Sequence, residues 1–159
     1  VYAIARELGI NFEEHNKFTF RSLEGRNKII NTNKLIIMDE TYNASPESVE
    51  ACINLLLDYP GNHFFVFGSM RELGDKSKQF HKEIIELIND SDIKRCLFIC
   101  EKDLEIKIRN CCFISEKILV LNRLDKIILL INEMTSKGDT LLIKGSRFWQ
   151  LDKLIPYIN

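Results

Sequence analysis

No stretch of this sequence is apolar for the length a bilayer demands, and no signal-peptide pattern is present. Membrane insertion is therefore not expected. A basic cluster is missing as well. The 22 Lys and Arg residues are balanced by 23 Asp and Glu, and the net charge is -1. Nucleic acid is not an expected partner, because its footprint needs a clustered basic face. Lys76, Lys78 and Lys82 come close together, but Glu83 and Glu86 interrupt them and the pattern reads as a solvated helix face. The cysteines, Cys52, Cys96, Cys100, Cys111 and Cys112, are odd in number and have no zinc-type spacing. Cys96 and Cys100 fall in or beside an apolar run, where thiols behave as small hydrophobes. No metal site is expected from them; free, buried thiols in a reducing cytoplasm are. A phosphate-binding P-loop is also absent, since Lys144-Gly145-Ser146-Arg147 lacks the Gly-rich spacing ahead of the Lys.

What is present is the material of one domain and a fragment of a second: 159 residues, 45% hydrophobic. Residues 1–9 read like the inside of a helix closed by Gly9, with neither an initiator Met nor a start signal. The expectation is a chain cut from a longer protein. Further on, apolar runs occupy residues 35–38, 64–67, 97–100, 118–121 and 141–143. They are continuous rather than alternating, as in strands buried on both faces of a parallel sheet. Helical stripes lie between them. Val49, Cys52, Ile53, Leu56 and Leu57 form the first, behind Ser45 as cap, Pro46 at the first helical position and Glu47 at the positive dipole end. Phe80, Ile84, Leu87 and Ile88 form the second. Leu124, Ile127, Ile128, Ile131 and Met134 form another, with Asn122 as candidate cap, and Leu151, Leu154, Ile155 and Ile158 form the last. Residues 27–31 fit a short strand antiparallel to 35–39. In residues 101–114, Leu104, Ile106 and Ile108 alternate, but Glu101-Lys102-Asp103 reads as a helix start, which favours a short helix. The fold class is α/β: a Rossmann-like open, mostly parallel sheet with helices on both faces.

In such sheets ligands bind beyond the carboxyl ends of the strands. The first parallel strand runs out into Asp39-Glu40-Thr41-Tyr42-Asn43, the second into residues 68–74 and the last into Lys144-Gly145-Ser146-Arg147. All three unusual polar stretches fall on one edge. Asp39 and Glu40 suit ribose hydroxyls, because an ionised carboxylate only accepts hydrogen bonds; Tyr42 suits a flat base and Asn43 offers both a donor and an acceptor. Gly68 permits close approach or a positive φ. Glu72 suits a substrate amine. Lys144 and Arg147, beside the backbone N–H groups of a helix start, suit an anion. The bland alternatives are helix-start chemistry for residues 39–43 and a plain connection for 68–74. His81 reads as a packed or solvated residue, and His15 and His63 carry no assignment. Phe148 and Trp149 fit packing against the sheet or a neighbouring domain.

The stretches DETYNASPES (39–48), VFGSMRELGDKS (66–77) with His81, and LLIKGSR (141–147) together resemble the C-terminal domain of the Mur ligases. The resemblance covers residues 24–159. Residues 1–23 resemble the tail of the family's central ATPase domain, and Glu24-Gly25-Arg26 resembles the hinge between the two. Within the family the motifs are most similar to those of members that add D-alanyl-D-alanine to UDP-N-acetylmuramoyl-tripeptide through an acyl phosphate. The resemblance implies ATP and Mg2+ as cofactors, with the magnesium ligands and the P-loop in the central domain, and it implies the central and N-terminal domains of the same chain as partners. Arg26 would face the nucleotide phosphates, Asp39 or Glu40 the ribose, and Tyr42 and Asn43 the base. Residues 70–74, with Glu72, and residues 144–147, with Lys144, Ser146 and Arg147, would shape the dipeptide site and its carboxylate. No catalytic or metal-ligating residue is expected in this stretch. The sequence departs from the family pattern at Glu40 and Ser69, where Asp is usual, and at Ile85, near which Gly is common. Alternatives are another amino acid ligase of the same superfamily, or a non-catalytic Rossmann-like binding module.

Overall fold

Each continuous apolar run becomes a parallel strand. Residues 24–158 are described by the structure, a computed structural model; the readings made for residues 1–23 lie outside them. The elements are β1 (Lys28–Asn31), β2 (Ile36–Glu40), α1 (Pro46–Leu57), β3 (His63–Gly68), α2 (Ser77–Asp90), β4 (Ile93–Ile99), α3 (Lys102–Arg109), β5 (Ile118–Leu121), α4 (Ile127–Met134) and β6 (Thr140–Lys144). The sheet order is β1-β2-β6-β3-β4-β5. Every pairing is parallel except β1 with β2.

Strand side chains alternate between two cores, which is why whole runs are apolar. Met38, Phe65, Phe67, Phe98 and Leu142 face one side, against Val49, Ile53 and Leu56 of α1, Ile84, Ile85 and Ile88 of α2 and Ile108 of α3. Ile37, Phe64, Val66, Leu97, Leu141 and Ile143 face the other, against Ile127 and Ile131 of α4 and Leu151, Leu154 and Ile158. Helices therefore cover both faces. The chain leaves β2 and β3 towards the first face and β6, which lies between them, towards the second. That reversal opens crevices at the carboxyl ends of these three strands.

The start of α1 forms as its residues dictate. Ser45 accepts from the Ser48 N–H at 3.3 Å, and the Ser45 N–H donates to Ser48 Oγ at 3.0 Å. Asn122 does not cap α4, which begins at Ile127. Its amide instead donates to the Cys100 carbonyl at 3.2 Å and to Glu105 at 3.1 Å, tying β5 to α3. Nor is the last apolar stripe an α-helix. Leu151–Tyr157 is a 3-10 helix with Pro156 inside it. Pro supplies no N–H for an α ladder, and Leu151 and Leu154, three apart, eclipse in 3-10 geometry. β4 begins earlier than its apolar run, and a register shift between His63 and Phe64 accompanies two consecutive exposed residues, Lys94 and Arg95.

His81 is fully buried in α2. Its Nε2 accepts the Met70 N–H at 2.9 Å, so Nδ1 carries the proton and donates to the Ser77 carbonyl at 2.7 Å. The ring lies among Phe67 and Phe98, about 6 Å from each. Burial lowers its pKa against opposition from the Ser77 carbonyl and Glu101. The folded state therefore resists the proton that an unfolded His takes up near pH 6.5. Stability from this group is present above that pH and is lost as pH falls towards the lowered folded value. Urea midpoints at pH 7.5 and 5.5 should differ more in the native protein than in His81→Gln. An equal difference would show that His81 contributes nothing to the acid response.

Candidate functional site

The β2 exit divides its two acids between the two faces. Asp39, buried at the strand end, accepts through Oδ1 from the Thr41 hydroxyl at 2.7 Å and the Thr41 N–H at 3.3 Å. Among the described residues its Oδ2 has no donor. It lines a cleft of about 440 Å³ with Lys28, Thr41, Tyr42, Arg147 and Lys153. Glu40 points the opposite way, as period-two alternation requires. It accepts the Asn27 N–H at 2.7 Å and faces Lys144 Nζ at 3.8 Å. Lys144 is only 3% exposed and donates to the Asn43 carbonyl at 3.0 Å. Arg26, Asn43 and Lys144 line a smaller cleft of about 230 Å³ on that side.

Tyr42 borders both clefts and is flanked by two cations. The Arg26 guanidinium carbon sits 3.8 Å from its ring centroid and that of Arg147 5.3 Å. Cations over an aromatic face are held by the ring quadrupole. Gly25 makes the stack possible. Its φ is +71, its carbonyl accepts the Tyr42 N–H at 2.9 Å, and a Cβ there would lie 2.8 Å from Tyr42 N and Thr41 Oγ1.

A second network joins the ends of β3, β4 and β6. Trp149 Nε1 donates to Ser69 Oγ at 3.0 Å, and the Ser69 hydroxyl donates to Glu101 at 2.9 Å. Glu101 also pairs with Arg71, whose guanidinium lies 4.3 Å from the Phe148 ring centroid. Phe148 meets Trp149 edge-on and is 58% exposed. Burial works to raise the Glu101 carboxyl, but its own N–H, the Ser69 hydroxyl and Arg71 outweigh it and hold its pKa below the usual value. A cleft of about 580 Å³ opens alongside, lined by Arg71, Glu72, Lys78, Glu101, Asp103 and Lys107. Glu72 is exposed in it at a left-handed φ of 63, which costs a non-Gly residue about 1–3 kcal/mol.

All three polar strand ends thus meet on one edge, but not in one pocket. Arg26, Asp39, Glu40, Tyr42, Asn43, Lys144 and Arg147 gather around the β2 exit. Glu72 stands apart in the cleft beside α3. Ser146 lies between them, buried, with its hydroxyl accepting the Phe148 N–H at 3.4 Å. Sequence reasoning missed Glu101; Arg71 belongs to the 70–74 loop that it assigned to the dipeptide site, though only Glu72 was singled out there. The carboxyl-end rule, applied to β4 as to the other strands, marks Glu101.

Among the described residues no group of three or more His, Cys, Asp or Glu could hold a metal ion. No helix among them is long and apolar enough to cross a membrane. The cysteines are free. Cys96 and Cys100 are buried as expected, and burial pushes the Cys100 thiol up to about 12. Cys52, Cys111 and Cys112 differ from the expectation in being only half-buried.

A family model described as "Mur ligase, glutamate ligase domain" matches residues 25–147. The UDP-N-acetylmuramoyl-tripeptide–D-alanyl-D-alanine ligase of Rickettsia prowazekii (strain Madrid E) is 31% identical over 135 residues, which is 84% of this chain and 30% of that protein. The ligase of the same name from Bacillus subtilis (strain 168) is 32% identical over 130 residues, 76% of this chain and 27% of that protein. The crystal structure of the MurF ligase from Thermotoga maritima in complex with ADP superposes with a TM-score of 0.81 at 29% identity, covering 98% of this chain and 35% of that one. A MurF structure from Acinetobacter baumannii gives a TM-score of 0.81 at 25% identity, covering 99% of this chain and 35% of that one. The chain therefore spans about a third of the length of these relatives.

Proposed function

From a chain that belongs to the Mur ligase family, we propose the C-terminal domain of an ATP-dependent ligase that joins D-alanyl-D-alanine to UDP-N-acetylmuramoyl-tripeptide in peptidoglycan precursor synthesis. Residues 1–23 are read as the tail of its central domain, and the whole enzyme as cytoplasmic. The observation that carries the reading is the Tyr42 ring with the guanidinium groups of Arg26 and Arg147 over it, lining a cleft that also holds Asp39. An aromatic face, two guanidinium groups and a carboxylate with a free oxygen suit the base, phosphates and ribose of a nucleotide.

In this reading the tripeptide carboxylate takes the γ-phosphoryl group of ATP and becomes an acyl phosphate. The dipeptide amine then attacks the acyl carbon, and phosphate leaves from the tetrahedral intermediate. Magnesium, when bound, would balance phosphate charge from ligands outside residues 24–158. This domain contributes position and charge: Arg26 and Arg147 towards the phosphates, Tyr42 and Asn43 along the base, and Asp39 at the ribose. Glu40 is occupied by the Asn27 N–H and Lys144 and holds the loop instead. Chemistry of this kind depends on alignment and on exclusion of water as domains close.

The test is ATP-dependent phosphate release by the full-length protein with UDP-N-acetylmuramoyl-tripeptide. Release should require D-alanyl-D-alanine and should be matched by a mass gain on the precursor. Release driven instead by a single amino acid would keep the family and overturn the dipeptide. No release from a folded protein would overturn the ligase reading.

A further inference from the structure

Resting on that ligase reading, which sets residues 70–74 at the dipeptide, we infer that His81 is a positioning residue for amide formation, acting through the Met70 peptide on the loop that carries Arg71 and Glu72. That loop has little else to set its backbone. Among the described residues no backbone–backbone hydrogen bond reaches residues 70–72, and the ladder from β3 ends with the Ser69 N–H on the Ile99 carbonyl at 2.8 Å. The Met70 side chain is sunk in the first core, which fixes where the residue sits but not which way its peptide faces. Arg71 pairs with Glu101 only through the far end of its side chain. Glu72 then takes its left-handed φ of 63. A residue in that region stays there only when its surroundings hold it.

His81 supplies the hold. Its ring bridges the two ends of the loop. Nε2 takes the Met70 N–H at 2.9 Å, where the chain leaves β3, and Nδ1–H donates to the Ser77 carbonyl at 2.7 Å, where α2 begins. The imidazole stands on a regular helix and packs against Phe67 of β3 and Phe98 of β4, so it does not follow the loop. The Ser77 bond fixes the tautomer and leaves Nε2 as an acceptor. The bond from Met70 is buried. With no acceptor there, the Met70 N–H is an unpaired donor in the core, and its peptide relieves this by turning towards water. Such a turn carries Arg71 and Glu72 with it. Both line the cleft of about 580 Å³, so the seat of the dipeptide moves as well.

The experiment compares His81→Asn with His81→Gln in the full-length enzyme. Both lose the ring, so both lose similar packing. They differ in reach. The Asn amide ends near the place of Nδ1 and serves only the Ser77 side, whereas the Gln amide extends to the place of Nε2 and offers an oxygen to the Met70 N–H. His81→Asn should raise the KM for D-alanyl-D-alanine about tenfold, the scale of one lost buried hydrogen bond, with the ATP KM unchanged. His81→Gln should stay within about threefold of the native value. A merely structural loss reduces the amount of active enzyme, which lowers kcat and leaves both KM values alone. Should His81→Asn fail to fold, residue-resolved hydrogen exchange on the native enzyme decides: the Met70 amide should exchange more slowly than those of Arg71 and Glu72. A native dipeptide KM in His81→Asn, equal dipeptide KM values in the two variants, or a Met70 amide that exchanges as fast as its neighbours would overturn the inference and leave the ligase reading standing. A native enzyme that releases no phosphate with the dipeptide would overturn the ligase reading, and this role with it.

Discussion

Arg26→Ala raises the apparent KM for ATP about tenfold to a hundredfold, and leaves the KM for D-alanyl-D-alanine unchanged. The size follows from removing charge-assisted hydrogen bonds to a phosphate group, about 1.5–3 kcal/mol each, at roughly 1.4 kcal/mol per factor of ten. The direction follows from geometry. Arg26 has no ion-pair partner among the described residues, and its guanidinium carbon lies over Tyr42, 3.8 Å from the ring centroid. That leaves its edge donors free for a ligand. The side chain is exposed, so its loss creates no cavity, and folding should be nearly unaffected. Arg26→Lys keeps the charge but loses the planar fork of donors, and should land between the two. Tyr42→Ala should reproduce most of the effect, because it releases Arg26 and Arg147 together. Steady-state kinetics at saturating tripeptide and dipeptide separate these cases. An ATP KM that does not move in Arg26→Ala would remove Arg26 from the nucleotide site.

The same stack shows what could be read from the residues and what could not. The strands were legible because each is buried on both faces and so is apolar throughout, as at Phe64, Phe65, Val66 and Phe67. The start of α1 was legible because Ser45 and Pro46 act locally. The short β1, antiparallel to β2, was legible in residues 27–31. Strand order was not legible: nothing in Leu141, Leu142 and Ile143 says that β6 enters between β2 and β3. That insertion brings Arg147 to Tyr42, 105 positions earlier in the chain, and it is why Lys144 faces Glu40 instead of the cleft beside Glu72. Asn122 resembles a cap because capping chemistry and tertiary hydrogen bonding use the same side-chain amide. Glu101 escaped because it stands at the start of α3, where an acid is unremarkable; its carboxylate turns to Ser69 and Arg71 instead of capping the helix.

Gly145→Ala should destabilise the domain by about 2–3 kcal/mol, near the upper end for forcing one extra carbon into packed surroundings. A Cβ on Gly145 would lie 2.8 Å from the Cα of Gly68, 3.0 Å from its N and 2.9 Å from a Leu151 methyl. The Leu151 methyl can rotate away, but the backbone of β3 cannot. Gly68 is itself pressed by Trp149: a Cβ on Gly68 would lie 2.8 Å from Cδ1 of the indole. The two glycines let the ends of β3 and β6 close up and seat Trp149 over Ser69. Close approach, rather than a left-handed φ, is what both positions require. Gly74→Ala provides the contrast. Its added carbon meets nothing within 4 Å, and only the left-handed φ of +55 opposes it, at about 1–2 kcal/mol. Thermal melting should fall by about 5–10 °C for Gly145→Ala. The two variants should differ most in function. Gly145→Ala pushes apart the strand ends that carry Ser69 and Ser146, so it should disturb the Trp149–Ser69–Glu101 chain and weaken dipeptide use. Gly74→Ala strains a loop without moving β3 or β6, and should spare ATP use entirely. Equal losses of stability with equal kinetics in the two variants would show that the approach of β3 to β6 does not set this edge.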